Sequence, residues 1–200
     1  MIKINNINIY ISFLLINFAF LFLSNYAIEH NTIKYIVWIN ANIIYLISAG
    51  NIFNQSYNSG ILDQMLIQNI NLSLFFAKEI IRSWLKVGIP LSIISTCFIF
   101  ILSNDYYLFY FLLSLIYSTF MIAFISAFSN SLIISNFNNI IAFIISLPVI
   151  LPVLITGRLI NEYTISSYKP IILIVILNLV ILGIIPFLIS WLVKTTIEEN

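Results

Sequence analysis

Charge is what this sequence has least of: 8% of its 200 residues are Asp, Glu, Lys or Arg, against 62% hydrophobic. A soluble domain carries about 25% charged residues, so lipid has to be the solvent for most of this surface. The net charge of +1 offers nucleic acid no basic footprint. Histidine occurs once, at His30, which excludes a multi-histidine metal site and leaves only a weak case for a haem ligand in a loop. Cysteine also occurs once, at Cys97 within an apolar run, so no intrachain disulfide or thiolate cluster can form. The five glycines, Gly50, Gly60, Gly88, Gly157 and Gly183, assemble no G-x-x-x-x-G-K-[ST] loop to cradle phosphates. No Ser–His–Asp arrangement stands out either, and the reading is of a non-catalytic chain. Ile and Asn are abundant where Leu, Ala or Arg would serve, which points to AT-rich coding.

What the sequence does have is long apolar runs. A spanning helix needs about 20 apolar residues, and six stretches meet or approach that: Ile9–Ile28, Tyr35–Gly50 (beginning near Ile33), Trp84–Leu102, Tyr106–Phe128, Phe137–Gly157 and Pro170–Val193. The first is too long for a signal-peptide core and reads as a retained helix. No repeat and no Pro- or Gly-rich linker divides the chain, so residues 1–200 read as a single transmembrane domain, all-α and polytopic. Ionisable groups sit at the ends of the runs. An ion-driven transporter would place them at mid-membrane depth, so a protein powered by a partner is expected. With the N-terminus inside, Lys3, Lys78, Arg82, Lys86 and Lys194 fall on the cytoplasmic side and Lys34, Arg158 and Lys169 on the outer side. That bias agrees with both termini inside. Ser and Thr within the runs are expected to serve helix packing and hydrogen bonding.

Three segments carry more than hydrophobicity. The connection 51–78 contains a short amphipathic stretch, with Asn58 or Ser59 expected to cap it and Asp63 in its first turn. Ile61, Leu62, Met65, Leu66 and Ile70 group on one side against Gln64 and Gln68. It is too short and polar to span, and reads equally as a coupling helix docking into a partner groove or as an interfacial helix resting on lipid. Next, Lys78, Glu79, Arg82 and Lys86 lead into the third run. Spacings of four put the three cations on one helix side, as headgroup anchors or partner contacts. Last, Pro148 and Pro152 in "LPVILPVLITG" each remove a backbone donor, so the fifth run is expected to break near its outer end.

Together these segments resemble the CcmB family, haem exporter protein B of the cytochrome c maturation system. Trp38 stands early in the second run, as in that family. The cytoplasmic motif F-x-x-D-x-x-x-G-x-L-E-x-L is read here as Phe53, Tyr57, Gly60, Leu62, Asp63, Gln64 and Leu66. Lys78, Trp84 and the G-x-P-L step Gly88, Pro90 and Leu91 enter the third run. L-P-x-x-x-P-V-L-I-x-G is complete from Leu147 to Gly157, with Pro148 and Pro152. The chain departs from the family in its coupling segment, where Asn54, Gln55, Ser56 and Asn58 leave Asp63 as the one acid, and before the fifth run, at Asn136, Asn138 and Asn139.

The resemblance implies an ABC-2 or type V exporter-like transmembrane domain of six helices with a cytoplasmic coupling helix. It also implies a homodimer paired with two copies of a separate ATPase subunit (CcmA), associated with the haem-handling proteins CcmC and CcmD and the haem chaperone CcmE. No cofactor is expected on this chain itself, since ATP and haem belong to the partners. ATP hydrolysis in such an assembly releases the haem-loaded chaperone. The membrane is a bacterial inner membrane, or a mitochondrial one if the chain is organelle-encoded. A permease for another cargo and a scaffold that moves nothing are the alternatives within and beyond this architecture.

Overall fold

A computed structural model describes residues 6–23, 30–49, 52–53, 56–57, 59–68, 71–102, 108–134, 150–151, 153, 155 and 168–199. Pro148, Pro152 and Gly157, with most of the fifth apolar run, lie outside the described residues, as do the side chains of Asp63 and Leu66.

Every regular element among the described residues is helical. In chain order they are α1 (Asn6–Leu23), α2 (His30–Ala49), α3 (Ile61–Ile67), α4 (Leu72–Ser83), a π-helical turn (Trp84–Gly88), α5 (Ile89–Leu102), α6 (Leu108–Ile134) and α7 (Tyr168–Glu199). Among them, Thr32–Ala49, Leu72–Leu102 and Leu108–Ile133 are long and apolar enough to cross a membrane, and shorter apolar stretches lie at Asn8–Ala19 on α1 and Gly183–Thr195 on α7. The protein is thus an all-helical, polytopic membrane protein.

The centre of the bundle is α6, which packs against α2, α4, α5 and α7. Its residues from Met121 to Ala127 are all buried, as befits a helix that is apolar on every side. Small residues let the neighbours approach closely, and the buried hydroxyls donate back into the helix. Ser114 Oγ reaches the Phe111 carbonyl at 2.8 Å, Ser118 that of Leu115 at 3.1 Å and Ser126 that of Ala123 at 3.0 Å. These polar groups therefore enter the hydrocarbon region already satisfied. Helices α1 and α2 are joined by Asn40 Nδ2 donating to Asn17 Oδ1 at 3.2 Å, while Asn17 donates to the Phe13 carbonyl at 2.8 Å.

The structure moves three boundaries. His30, expected in a loop, is the first residue of α2. The fourth run continues past Phe128 to Ile134. The third helix starts at Leu72, not Trp84, because α4, the π turn and α5 form one continuous run of 31 residues. The cations of α4 lower its hydropathy, but they occupy one side only. Leu72, Phe76 and Ile80, spaced by four, are buried on the other.

Candidate functional site

Two neighbouring features gather most of the residues singled out from the sequence. The first is an elbow between α2 and α4. After α2 the chain turns at Phe53, whose carbonyl accepts the Tyr57 N–H at 2.9 Å, and the Tyr57 carbonyl accepts the Gly60 N–H at 3.1 Å. Gly60 has φ 70°, a left-handed conformation that costs other residues about 1–2 kcal/mol. Its carbonyl takes the first helical bond of α3, from Gln64 N–H at 3.2 Å. Gly60 thus stands at the head of α3, and the Ser59 hydroxyl, an expected cap, instead reaches back to the Ser56 carbonyl at 3.2 Å, while Asn58, the other expected cap, lies outside the described residues. The elbow ends at Asn71, whose Oδ1 accepts the Ser73 N–H at 3.1 Å and caps α4.

Inward, the elbow is anchored by Phe53 and Leu62, both fully buried. The Phe53 ring meets Phe76 of α4 edge-on, with centroids 4.9 Å apart and planes at 67°, a favoured aromatic geometry. Outward, Tyr57, Ile61, Gln64 and Ile67 are exposed, Ile67 to 82%. Ile61 thus joins Gln64 and Gln68 on the outer face, and Leu62 and Met65 form the inner one. Asp63 lies in the first turn of α3 and Leu66 near its end.

The second feature is the π-helical turn. Pro90 cannot donate to the Lys86 carbonyl four residues back, and its ring would press on that carbonyl in a regular helix. The widened turn absorbs the conflict: Ile89 N–H bonds the Trp84 carbonyl, five residues back. The freed Lys86 carbonyl accepts the Tyr10 hydroxyl of α1 at 2.9 Å. Tyr10→Phe is expected to lower stability by about 0.5–1.5 kcal/mol, read as a fall in the thermal transition of the purified protein. An unchanged transition would mean that the bond contributes nothing.

Trp84 lies over Gly88, where an added Cβ would come within 2.5 Å of Trp84 Cδ1. The indole Nε1–H donates to Thr119 Oγ1 at 3.2 Å, and the ring meets Phe120 edge-on at 4.9 Å. Trp84, seated over Gly88, therefore locks this run of helix onto α6, while Pro90 leaves the Lys86 carbonyl open to the bond with α1. Trp38 is buried on α2, its carbonyl accepting Asn42 Nδ2 at 2.8 Å, and it belongs to neither feature. Lys78 is exposed on α4. Tyr10, Asn71, Phe76 and Thr119 were not marked from the sequence. Only Pro90 carried a signal, since its missing N–H requires another donor for the Lys86 carbonyl.

Among the described residues, no cluster of His, Cys, Asp and Glu side chains could hold a metal ion. The arrangement suits mechanical linkage: a short helix, α3, with an exposed outer face and an inward anchor at Leu62, precedes α4, which itself continues into a spanning helix. Residues 8–196 match the family model described as CcmB protein. The chain belongs to the CcmB family. It is accordingly a membrane permease component of the haem-exporting ABC system for cytochrome c biogenesis. Neither the curated proteins nor the solved structures contain a significant match to it. In this CcmB-family chain the matched region takes in the elbow, the π turn and the described helices almost entirely.

Proposed function

We propose that this chain transmits ATP-driven motion from a separate ATPase subunit (CcmA) into the membrane, and that the motion releases the haem-loaded chaperone CcmE from an assembly with CcmC and CcmD. The chain itself hydrolyses no ATP and holds no haem. Two copies pair in the assembly, in a bacterial or mitochondrial inner membrane, with both termini on the cytoplasmic or matrix side.

The observation that carries this reading is the elbow. Its outer face, Tyr57, Ile61, Gln64 and Ile67, is open to a partner, while Phe53 and Leu62 hold its inner face to the bundle. Phe53, in the turn that leads to α3, meets Phe76 of α4, which gives a push on the elbow a route into α4. From α4 it passes without a break into α5. Pro148 and Pro152, outside the described residues, supply the joint at which the outer end moves.

The test is complementation. The chain is expressed with its cognate ATPase subunit in a bacterium lacking its own haem exporter protein B, and covalent haem in c-type cytochromes is stained. Restored staining is the expected result, and an ATPase-dead partner should abolish it. Staining that persists with the dead partner would mean the chain is a scaffold that needs no ATP.

A further inference from the structure

The outward side of α4 and the π turn carries a shallow hollow of about 410 Å³, lined by Lys78, Ile81, Arg82, Leu85 and Lys86. Its chemistry is mixed. Three cations surround two exposed apolar side chains, Ile81 at 40% and Leu85 at 52% exposure. Among the described side chains the acid beside them is Glu79, whose Oε2 lies 3.7 Å from Arg82 Nη1, a partial neutralisation that leaves Lys78, Arg82 and Lys86 with an excess of positive charge over it. We propose that this hollow binds the phosphate headgroup of an anionic phospholipid.

Depth favours a lipid over a soluble partner. At about 1.5 Å per residue, the helix from Arg82 to Leu102 is about 30 Å long, the thickness of the hydrocarbon core. With Leu102 at one edge of that core, Arg82 falls at the other, Lys78 lies a turn further out in the headgroup layer, and Lys86 lies a turn inside the core, from where its long side chain snorkels out to the headgroups. Below the hollow, the same run is exposed and apolar at Ile93, Cys97 and Phe100, a surface suited to acyl chains. A headgroup held by the cations therefore has a place for its tails along the same helix. A second copy of this chain is a poor occupant, because a two-fold axis there would bring like cations together. Lipid binding here is independent of coupling through α3, so either can fail alone.

Native mass spectrometry of the delipidated full chain, titrated with phosphatidylglycerol, cardiolipin or phosphatidylcholine, tests the site. The two anionic lipids are expected to bind about tenfold or more tightly than phosphatidylcholine. The K78Q/R82Q/K86Q variant should lose that preference. Should the triple variant fail to insert, K78Q and K86Q singly are each expected to lose part of the preference, and R82K to keep it. Equal binding of all three lipids to the wild-type chain would overturn the proposal. So would a triple variant that keeps its lipid preference but no longer co-purifies with its ATPase subunit, since the cations would then serve an acidic protein surface.

Discussion

Gly88→Ala is expected to destabilise the protein by about 1–3 kcal/mol, the range for overpacking a closely filled site. The new methyl would sit 2.5 Å from Trp84 Cδ1 and 3.0 Å from its Nε1. Those atoms belong to the root of a rigid indole, so the ring has to change rotamer to make room. Doing so breaks its hydrogen bond to Thr119 and its contact with Phe120. Elsewhere in a helix the same substitution would stabilise by about 1 kcal/mol, so the sign of the effect is itself diagnostic. A double-mutant cycle sharpens it. In a Trp84→Ala background, where the clash is gone, Gly88→Ala should be neutral or stabilising. Thermal transitions of the four proteins in detergent give the answer, and an equal loss in both backgrounds would show that Trp84 is not what constrains Gly88.

Gly60→Val is expected to abolish cytochrome c maturation while leaving membrane insertion intact. The left-handed φ of 70° at Gly60 sets the direction in which α3 leaves the elbow. A β-branched residue is strained there, and the relaxed chain would redirect α3 and withdraw its outer face from the partner. The apolar runs that drive insertion are untouched. Gly60→Asn makes the control, because Asn tolerates left-handed backbone far better than Val. Maturation should therefore survive Gly60→Asn and fail in Gly60→Val, scored by haem staining beside an immunoblot of the membrane fraction. Normal staining in Gly60→Val would remove the elbow's geometry from the mechanism.

The spanning helices were legible because their signal is local. Each needs only an uninterrupted apolar run, and residues 32–49, 89–102 and 108–128 supply one. The start of the third helix was not legible by the same measure. Lys78, Glu79 and Arg82 make α4 look like a connection when hydropathy is averaged, although Leu72, Phe76 and Ile80 already mark a helical stripe. In α3, the amphipathic pattern found the right inward residues in Leu62 and Met65, but it also put Ile61 with them, and in a helix this short Ile61 falls on the outer face. The long-range contacts had no local trace. Tyr10 and Lys86 are 76 residues apart and Trp84 and Thr119 are 35 apart; their pairing is decided by how helices stack. The motif positions Trp84, Gly88 and Pro90 could be picked out one by one, yet their common purpose, a widened turn with an indole seated over a glycine, shows only in three dimensions.

The most direct test of the coupling role is a photo-crosslink from the outer face of α3. Ile67, 82% exposed at the end of that helix, is replaced by a benzophenone-bearing amino acid in the full chain, co-expressed with its ATPase subunit, and irradiated in native membranes. The coupling account predicts a crosslinked band containing the ATPase subunit, with an intensity that changes when ATP is trapped in the partner. Crosslinking to lipid alone, in membranes where the two subunits still co-purify, would contradict it and leave α3 as a helix that only rests on the bilayer.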